Sequence, residues 1–179
     1  RMLFMVDTAL CQRQSFRAAP AYALWQSIML CTCRGFSGAV AVKDITWKVK
    51  LSQDPAAVFE RLATDRGRES FWAERSRETQ EGFDLAFPNG QETHVTVLEM
   101  IAERYLKVRY FDAPTSFSLE PIRDGTVLTL RATVSDDEYI ETHAGWVSVL
   151  MTLKAQVEGG VDLRNHAREY SWDEGFADN

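Results

Sequence analysis

The longest apolar pattern in the chain predicts a helix that is buried on more than one side. Between Gly145 and Gly160, a step of about 100° per residue places five large side chains on one stripe: Trp146, Val149, Leu150, Leu153 and Val157. Val147 and Met151 widen this stripe to an apolar arc of roughly 200°. A surface helix needs a narrower stripe, so we expect other elements to enclose this one. The residues that lie clearly outside the arc are Ser148, Thr152, Ala155 and Gln156.

Residues that alternate between apolar and polar predict a series of strands before this helix. In the first strand, from about Asp44, the apolar face carries Ile45, Trp47, Val49 and Leu51. Further strands are predicted over residues 75–80, 83–87, 92–102, 105–111, 115–120 and 127–134. Turns between the later strands are expected at Asn89-Gly90, Asp112-Ala113-Pro114 and Asp124-Gly125.

Two short helices are predicted between the first and second strands. Asp54 is a favourable N-cap, and Pro55 suits the first helical position. Gly67 is expected to end this helix, and a second helical turn is expected to carry Phe71 and Trp72. For the long helix, residues 135–138 fit a capping box or residue 142 starts the helix, and the glycines at 159 and 160 end it.

The order of these elements predicts an α+β fold. Strands that follow one another without helices favour an antiparallel sheet, here curved and of about seven strands. Its apolar face must be covered, and the C-terminal helix is the element long and apolar enough to cover it. If the sheet wraps around this helix, its centre can remain partly unfilled, so we expect a pocket there.

Composition and charge narrow the possible functions. The chain has 179 residues, of which 45% are hydrophobic and 26% charged, as expected for one globular domain with a good core. Residues 43–179 carry 16 basic and 25 acidic side chains, which makes them a poor match for nucleic acid. We expect no stable insertion of the protein into a membrane, and we predict a cytoplasmic location.

Residues 1–42 are expected to lie outside the domain core of residues 43–179. They carry four Arg and one Asp, an apolar run from Ala18 to Cys33, and the small residues Ala39-Val40-Ala41. Three readings remain open: a non-native or mis-started extension, a targeting peptide, or an ordered appendage. Cys11, Cys31 and Cys33 also lie there, so the domain has neither a disulfide nor a thiol nucleophile, and the two close cysteines lack the further ligands of a metal site.

No catalytic motif accompanies these patterns. The histidines form no metal-binding pair, and the chain contains no P-loop, GxSxG or GxGxxG sequence, so no metal, cofactor or catalytic residue is predicted. His94 could point into the pocket, or it could be a surface histidine. Glu99 could pair with Arg109 on an apolar face, or it could lie at a solvated edge.

Several segments resemble a known family. They are ITWKVKLSQDPAAVFERLA from residue 45, FDLAFPNG from residue 83, GTVLTL from residue 125 and AGWVSVLMTLKAQVEGGVDLR from residue 144. With the ending SWDEGF, they resemble the START-like helix-grip superfamily, and within it the branch named after the activator of the ninety-kilodalton heat-shock protein's ATPase. The resemblance covers about Asp44 to Asn179. It implies the helix-grip fold, but this branch has no shared catalytic signature.

The resemblance and the residues together suggest two classes of function. The first is binding of a small hydrophobic or amphipathic molecule between the sheet and the long helix. The predicted lining is Trp47, Phe83, Phe87, His94, Arg109, Tyr110, Phe117, Trp146 and Leu150. The second is an interaction module that binds a chaperone or other protein, as a monomer or homodimer. A cyclase or hydrolase-type enzyme is a weaker third alternative, so an enzymatic role is not favoured.

Overall fold

The computed structural model describes residues 41–178. Residues 1–40 of the predicted extension, with the three cysteines, lie outside the described residues. Seven strands are formed: β1 (Val42–Leu51), β2 (Arg75–Glu78), β3 (Gly82–Ala86), β4 (Glu92–Ile101), β5 (Tyr105–Tyr110), β6 (Ala113–Ile122) and β7 (Gly125–Ser135). The helices are α1 (Pro55–Ala63), α2 (Asp65–Glu69), α3 (Tyr139–Gly159) and a single 3₁₀ turn at Trp172–Glu174. Over the described range, no helix is both long and apolar enough to cross a membrane.

The strands form one curved antiparallel sheet in the order β1-β7-β6-β5-β4-β3-β2. Consecutive strands are neighbours except that β1 pairs with β7, which joins the first and last strands of the chain. In the central strands buried residues alternate with more exposed ones, for example Leu128, Leu130 and Ala132 of β7. Helix α3 packs against β1 and β7 on this concave side. The predicted α+β class and the helix-grip architecture are therefore confirmed.

The two short helices meet at a tight junction that the sequence prediction misplaced. Asp54 caps α1 as predicted, because its carboxylate accepts a hydrogen bond from Ala57 N at 2.8 Å. Helix α1 ends at Ala63, however, and Thr64 caps α2 through a hydrogen bond from Gly67 N at 3.0 Å. Gly67 thus lies inside α2 instead of ending α1. A Cβ atom at Gly67 would lie 2.5 Å from backbone atoms of α1, so only glycine allows this close approach.

Helix α3 is covered on a different second side from the one its sequence predicted. Trp146, Leu150, Leu153 and Val157 are buried as expected. Val147 and Met151 are instead 37% and 41% exposed, and the buried residue on another side is Thr152. Neither proposed start is used: the helix begins at Tyr139 without a side-chain cap, and the left-handed Gly160 ends it as predicted.

Two more local predictions differ from the structure. The turn between β5 and β6 consists of Phe111 and Asp112, which both have positive φ, while Ala113 and Pro114 already belong to β6. Phe71 and Trp72 follow α2 and are not helical, although both are buried.

The C-terminal tail after α3 covers one side of the molecule. Arg164 donates from Nη2 to the carbonyl of Glu69 at 2.6 Å, which joins the tail to α2. Near the end of the tail, the carbonyl of Ala177 accepts a hydrogen bond from the hydroxyl of Ser148 at 2.5 Å, so the tail also contacts α3. The tail therefore holds α3 from a side that the sheet does not reach.

Candidate functional site

An aromatic cluster fills the concave side of the sheet beneath α3. Trp72 lies at its centre, with ring centroids of five other aromatic residues 5.3–6.0 Å away: Phe71, Phe83, Tyr110, Phe117 and Trp146. Most of these pairs are edge-to-face, the geometry that the aromatic quadrupole favours. The space where the sequence analysis expected a ligand is therefore occupied by the Trp72 side chain.

A buried arginine anchors the segment that carries Trp72. Arg68 of α2 is only 2% exposed, and its guanidinium lies 3.9 Å from the ring centroid of Phe83. It donates hydrogen bonds to the carboxylate of Asp65 at 2.7 Å and the hydroxyl of Ser76 at 2.8 Å. A third hydrogen bond reaches the carbonyl of Leu62 at 3.1 Å. A buried charge requires such partners, so Arg68 fixes α2 and β2 against the core.

Asp65 is the anionic partner in this network. Burial by itself would raise the pKa of Asp65, but hydrogen bonds from Ser76, Arg68 and the backbone of Glu78 outweigh burial and hold the pKa below its ordinary value. The hydroxyl of Ser76 donates to Asp65 at 2.7 Å. Asp65 therefore remains ionised beside Arg68 and neutralises it.

An open cleft of about 540 Å³ lies beside the aromatic cluster, between the two short helices and strands β3 to β5. We call it the α1–β4 cleft. Its apolar lining consists of Leu62, Ala63, Phe83, Val97, Met100 and Leu106. Its polar lining consists of Arg68, Glu78, Thr79, Gln80, Glu81 and Thr96, and Gly82 completes the lining. The apolar residues come from α1 and the concave faces of β3, β4 and β5, and the polar ones lie mainly around the β2–β3 turn.

The charged side chains of the α1–β4 cleft are Arg68 and two glutamates at its rim, Glu78 and Glu81. Arg68 is held by Asp65, so its positive charge is locally balanced. Glu78 lies 4.0 Å from Arg68, and its side chain is 66% exposed. Glu81 is exposed on the same turn. The rim is therefore anionic, while Met100, which is 50% exposed, adds an apolar surface to the cleft.

Three polar residues considered in the sequence analysis lie on the opposite, outer face of the sheet. His94 is exposed and contacts Asp84 at 2.8 Å, and hydrogen bonds from Arg77 and His94 hold the pKa of Asp84 below its ordinary value. Arg109 is exposed and alternates with buried residues of β5. Glu99 lies opposite Lys107 and not opposite Arg109. The structure therefore does not bring His94, Glu99 and Arg109 to the concave side.

The remaining predicted lining residues divide between the core and its edge. Phe83, Phe117, Trp146 and Leu150 are buried, and Phe83 alone also lines the α1–β4 cleft. Tyr110 belongs to the aromatic cluster, and Phe87 stacks on Phe111 with centroids 6.5 Å apart. At the other end of the sheet, Trp47 packs against His143 at 4.7 Å.

Sequence reasoning missed the residues that shape the open space. Trp72 was expected on a helix and not at the centre of the core, and Arg68 was not singled out. A large aromatic residue just after a short helix was the available signal for Trp72.

The indole nitrogens of Trp72 and Trp47 are buried, and neither has a hydrogen-bond partner in the described part of the chain. A buried indole N–H is stabilised by an acceptor, so both mark polar points in an otherwise apolar interior.

Comparison with solved structures identifies several proteins of the same fold. A protein from Staphylococcus saprophyticus is 23% identical over 68% of this chain and 96% of that chain, with a TM-score of 0.62. The Aha1 dimer from Colwellia psychrerythraea is 20% identical over 66% of this chain and 98% of that chain, with a TM-score of 0.56. The AHSA1-like protein from Aeromonas hydrophila is 16% identical over 66% of this chain and 94% of that chain, with a TM-score of 0.59.

No protein-family profile matches the sequence, and no curated protein matches it significantly. The structural likeness is nevertheless extensive, because it spans nearly the whole of each of these three solved chains. At identities of 16–23% such a likeness establishes the fold. This chain has the helix-grip fold of the AHSA-type proteins, as its sequence resemblance predicted.

Proposed function

We propose that this protein binds a small amphipathic molecule in the α1–β4 cleft. The observation that carries the proposal is the cleft itself: an open space of about 540 Å³ with an apolar part and a polar rim. Ligand sites are concave, mostly apolar and roughly 300–1,000 Å³ in volume, with a few polar groups that orient the ligand. The α1–β4 cleft has this size, and its polar lining residues lie mainly around the β2–β3 turn, apart from the apolar ones.

The proposed position differs from the one expected between the sheet and the long helix. Trp72 fills that space, and its four edge-to-face contacts would be lost if a ligand displaced it. The α1–β4 cleft is already open and needs no such displacement. Its apolar part at Val97, Met100 and Leu106 would hold the hydrophobic body of the ligand.

The anionic rim determines the preferred head group. Glu78 and Glu81 have no compensating cation in the described residues apart from Arg68, which Asp65 already neutralises. A cationic head would be attracted to these carboxylates, whereas an anionic head would be repelled. The ligand of this proposal is therefore an amphiphile with a cationic or neutral head.

Paired probes of equal chain length test this proposal. Thermal unfolding of the full chain is measured with decylammonium and with decanoate, and native mass spectrometry is applied to protein purified from its own cells. We expect decylammonium to raise the melting temperature in a saturable manner and decanoate to have a smaller effect. Met100→Trp, which places a larger side chain in the cleft, should weaken binding by about tenfold or more.

A matched control is available on the same strand. Ile101 is 49% exposed like Met100, but it faces the outer side, because successive residues of a strand point to opposite faces. Ile101→Trp should leave binding unchanged. The proposal is wrong if both variants weaken binding equally, or if neither probe nor any retained small molecule binds the wild-type chain.

A second candidate function, a protein-interaction module, is favoured by an exposed apolar stripe on α3. We define the α3 stripe by Ile140, Ala144, Val147 and Met151, which are all exposed and lie at intervals of four, three and four residues. Such spacing aligns side chains along one face of a helix, and an apolar helix face is a frequent protein contact. The Aha1 protein from Colwellia psychrerythraea forms a dimer. A second copy of this chain is therefore the occupant that this candidate function implies.

Analytical ultracentrifugation distinguishes this candidate. If the α3 stripe joins two copies, the wild-type chain should sediment as a dimer at micromolar concentration, and Val147→Glu should shift it to a monomer. Val161→Glu, at a position 51% exposed in the tail, is the matched control. A wild-type monomer over the whole concentration range would exclude the second copy, and a purified chaperone that binds wild type but not Val147→Glu would replace it.

A further inference from the structure

The outer face of the sheet contains a groove that is separate from the α1–β4 cleft. It has a volume of about 510 Å³ and crosses strands β1, β7, β6 and β5. The polar residues that line it include Thr46, Tyr105, Lys107, Ser116 and Arg131. Each of them alternates with buried residues along its strand, so they lie on the face opposite the helices. We call this feature the outer groove.

Strand register places two basic residues on either side of one hydroxyl. Ser116 of β6 lies directly opposite Lys107 of β5 and, on its other side, directly opposite Arg131 of β7. Adjacent strands are about 4.8 Å apart, so the backbones of Lys107 and Arg131 are separated by roughly 10 Å. Both long side chains can reach a group that lies above Ser116. Thr46 continues the row beside Arg131 and adds a second hydroxyl.

These two basic side chains have no partner in residues 41–178. Neither Arg131 nor Lys107 makes a hydrogen bond or an ion pair there, although Arg68, Arg77 and Arg164 all pair with carboxylates. Lys107 and Arg131 are thus two cations without a neutralising partner in the outer groove. They belong to an acidic domain, since residues 43–179 contain 16 basic and 25 acidic side chains.

The acidic residues near the outer groove do not neutralise this pair. Asp44, the next outward residue beside Thr46 on β1, accepts a hydrogen bond from the hydroxyl of Thr133 at 2.8 Å and makes no ion pair with Arg131. Glu99 lies opposite Lys107 on β4, but the two side chains are not within ion-pair distance. Arg109 adds a further positive charge on the next outward position of β5.

We propose that the outer groove binds an oxyanion, the phosphate or carboxylate group of a small molecule. The guanidinium of Arg131 presents parallel N–H donors that match two oxygens of either group, and Lys107 adds a point charge from the opposite side. The hydroxyls of Ser116 and Thr46 supply neutral donors between and beside them. This site is on the opposite side of the sheet from the α1–β4 cleft and does not depend on a ligand there.

Titration of the full chain with two simple probes at constant ionic strength tests the proposal. Pyrophosphate represents the phosphate source and citrate the carboxylate source, with binding followed by calorimetry and by amide chemical shifts. We expect saturable binding of at least one probe, with the largest shifts at residues 116 and 131. Arg131→Gln and Lys107→Gln should each weaken binding by about tenfold, the loss expected for one charge-assisted contact.

Two further variants distinguish specific oxyanion binding in the outer groove from non-specific attraction between charges. Arg168→Gln removes an exposed tail charge that has no partner in the described part of the chain, and it should leave binding unchanged. Glu99→Gln removes the carboxylate opposite Lys107 and should tighten binding. Equal weakening by Arg168→Gln, or the absence of saturable binding by both probes to roughly 10 mM, would overturn the proposal. Preference for one probe identifies the source of the oxyanion.

Discussion

At the scale of single residues, Trp72 has the largest effect on where the interior is open. Its indole contacts rings from α3 and from strands β3, β5 and β6, which fills the middle of the concave side. Arg68 fixes the segment that carries Trp72 through its hydrogen bonds to Asp65 and Ser76. The open space is consequently displaced toward α1 and β4, which is why the proposed ligand site lies there.

The ion pair between Asp65 and Arg68 predicts a pH dependence of stability. The folded-state pKa of Asp65 is lowered, so its stabilising contribution is present above its unfolded pKa of about 3.9 and is lost as the pH falls through the folded value. We expect Asp65→Asn to be less stable than wild type at pH 7 and to lose less free energy of unfolding on acidification. Urea unfolding at several pH values between about 7 and 3 measures both effects. Parallel losses in the two proteins would contradict the assignment.

Two glycines in helices predict opposite results for the same substitution. At Gly145 of α3, an added Cβ meets no atom within 4 Å, so Gly145→Ala should raise the free energy of unfolding by about 0.5–1 kcal/mol. At Gly67 of α2, the added Cβ would lie 2.5 Å from the backbone of Arg61 and Glu60. Gly67→Ala should lower the free energy of unfolding by about 1–3 kcal/mol despite the better helix propensity of alanine. Chemical unfolding of both variants checks the pair, and equal signs would show that the α1–α2 contact is looser than described.

At the scale of elements, α3 has two apolar faces with different neighbours. One face packs on the sheet through Trp146, Leu150 and Leu153, and the α3 stripe is exposed. Val147 and Met151 of the α3 stripe are apolar like the packed face, so the sequence pattern placed them in the same arc as that face. The packing of the sheet and the tail around α3 separates them.

Substitutions two residues apart distinguish these faces. Leu153 is completely buried, and Leu153→Ala should lower the free energy of unfolding by about 2–5 kcal/mol. Met151 is 41% exposed, and Met151→Ala should change it by less than about 1 kcal/mol. Thermal or urea unfolding provides the comparison. Similar losses at both positions would mean that the α3 stripe is covered in solution.

At the scale of the whole molecule, the sheet separates two candidate binding surfaces. The α1–β4 cleft lies on the concave side and has an anionic rim, whereas the outer groove carries unneutralised Arg131 and Lys107. Because opposite charges characterise the two surfaces, their proposed ligands differ in charge. A variant on one surface should therefore leave binding on the other unchanged.

The domain boundary predicted from the sequence is tested by a fragment. In the described part of the chain, the hydrophobic core is drawn from residues 45–157, and β1 begins at Val42. We expect a fragment of residues 41–179 to unfold cooperatively, with a melting temperature close to that of the full chain, because the core residues are all retained. Circular dichroism and limited proteolysis of the full chain measure this. A fragment without a cooperative transition would place the boundary elsewhere.

Local patterns in the sequence predicted most of the fold but little of the candidate site. The positions of the strands along the chain, the Asp54 cap and the buried face containing Leu153 follow from alternation, capping chemistry and helical period, which depend on residues close in sequence. The prediction that His94 lines the pocket was not reached correctly from local patterns. Which face of β4 His94 lies on becomes clear only when β4 is paired with β3, where His94 lies opposite Asp84. The turn between β5 and β6 was predicted at residues 112–114 instead of at Phe111 and Asp112, because Phe111 is not the glycine or asparagine that usually marks positive φ.

The sequence by itself determined which elements form and which face of most strands is apolar, since these depend on periodicities of two and 3.6 residues. Only the tertiary structure decided that Trp72 fills the centre, that Met151 is exposed, and that Arg131 and Lys107 flank Ser116. The physical reason is distance along the chain. Cross-strand neighbours and core contacts join residues that are not close in sequence, such as Trp72 and Trp146, and their identity follows from strand order and register, which no local pattern contains.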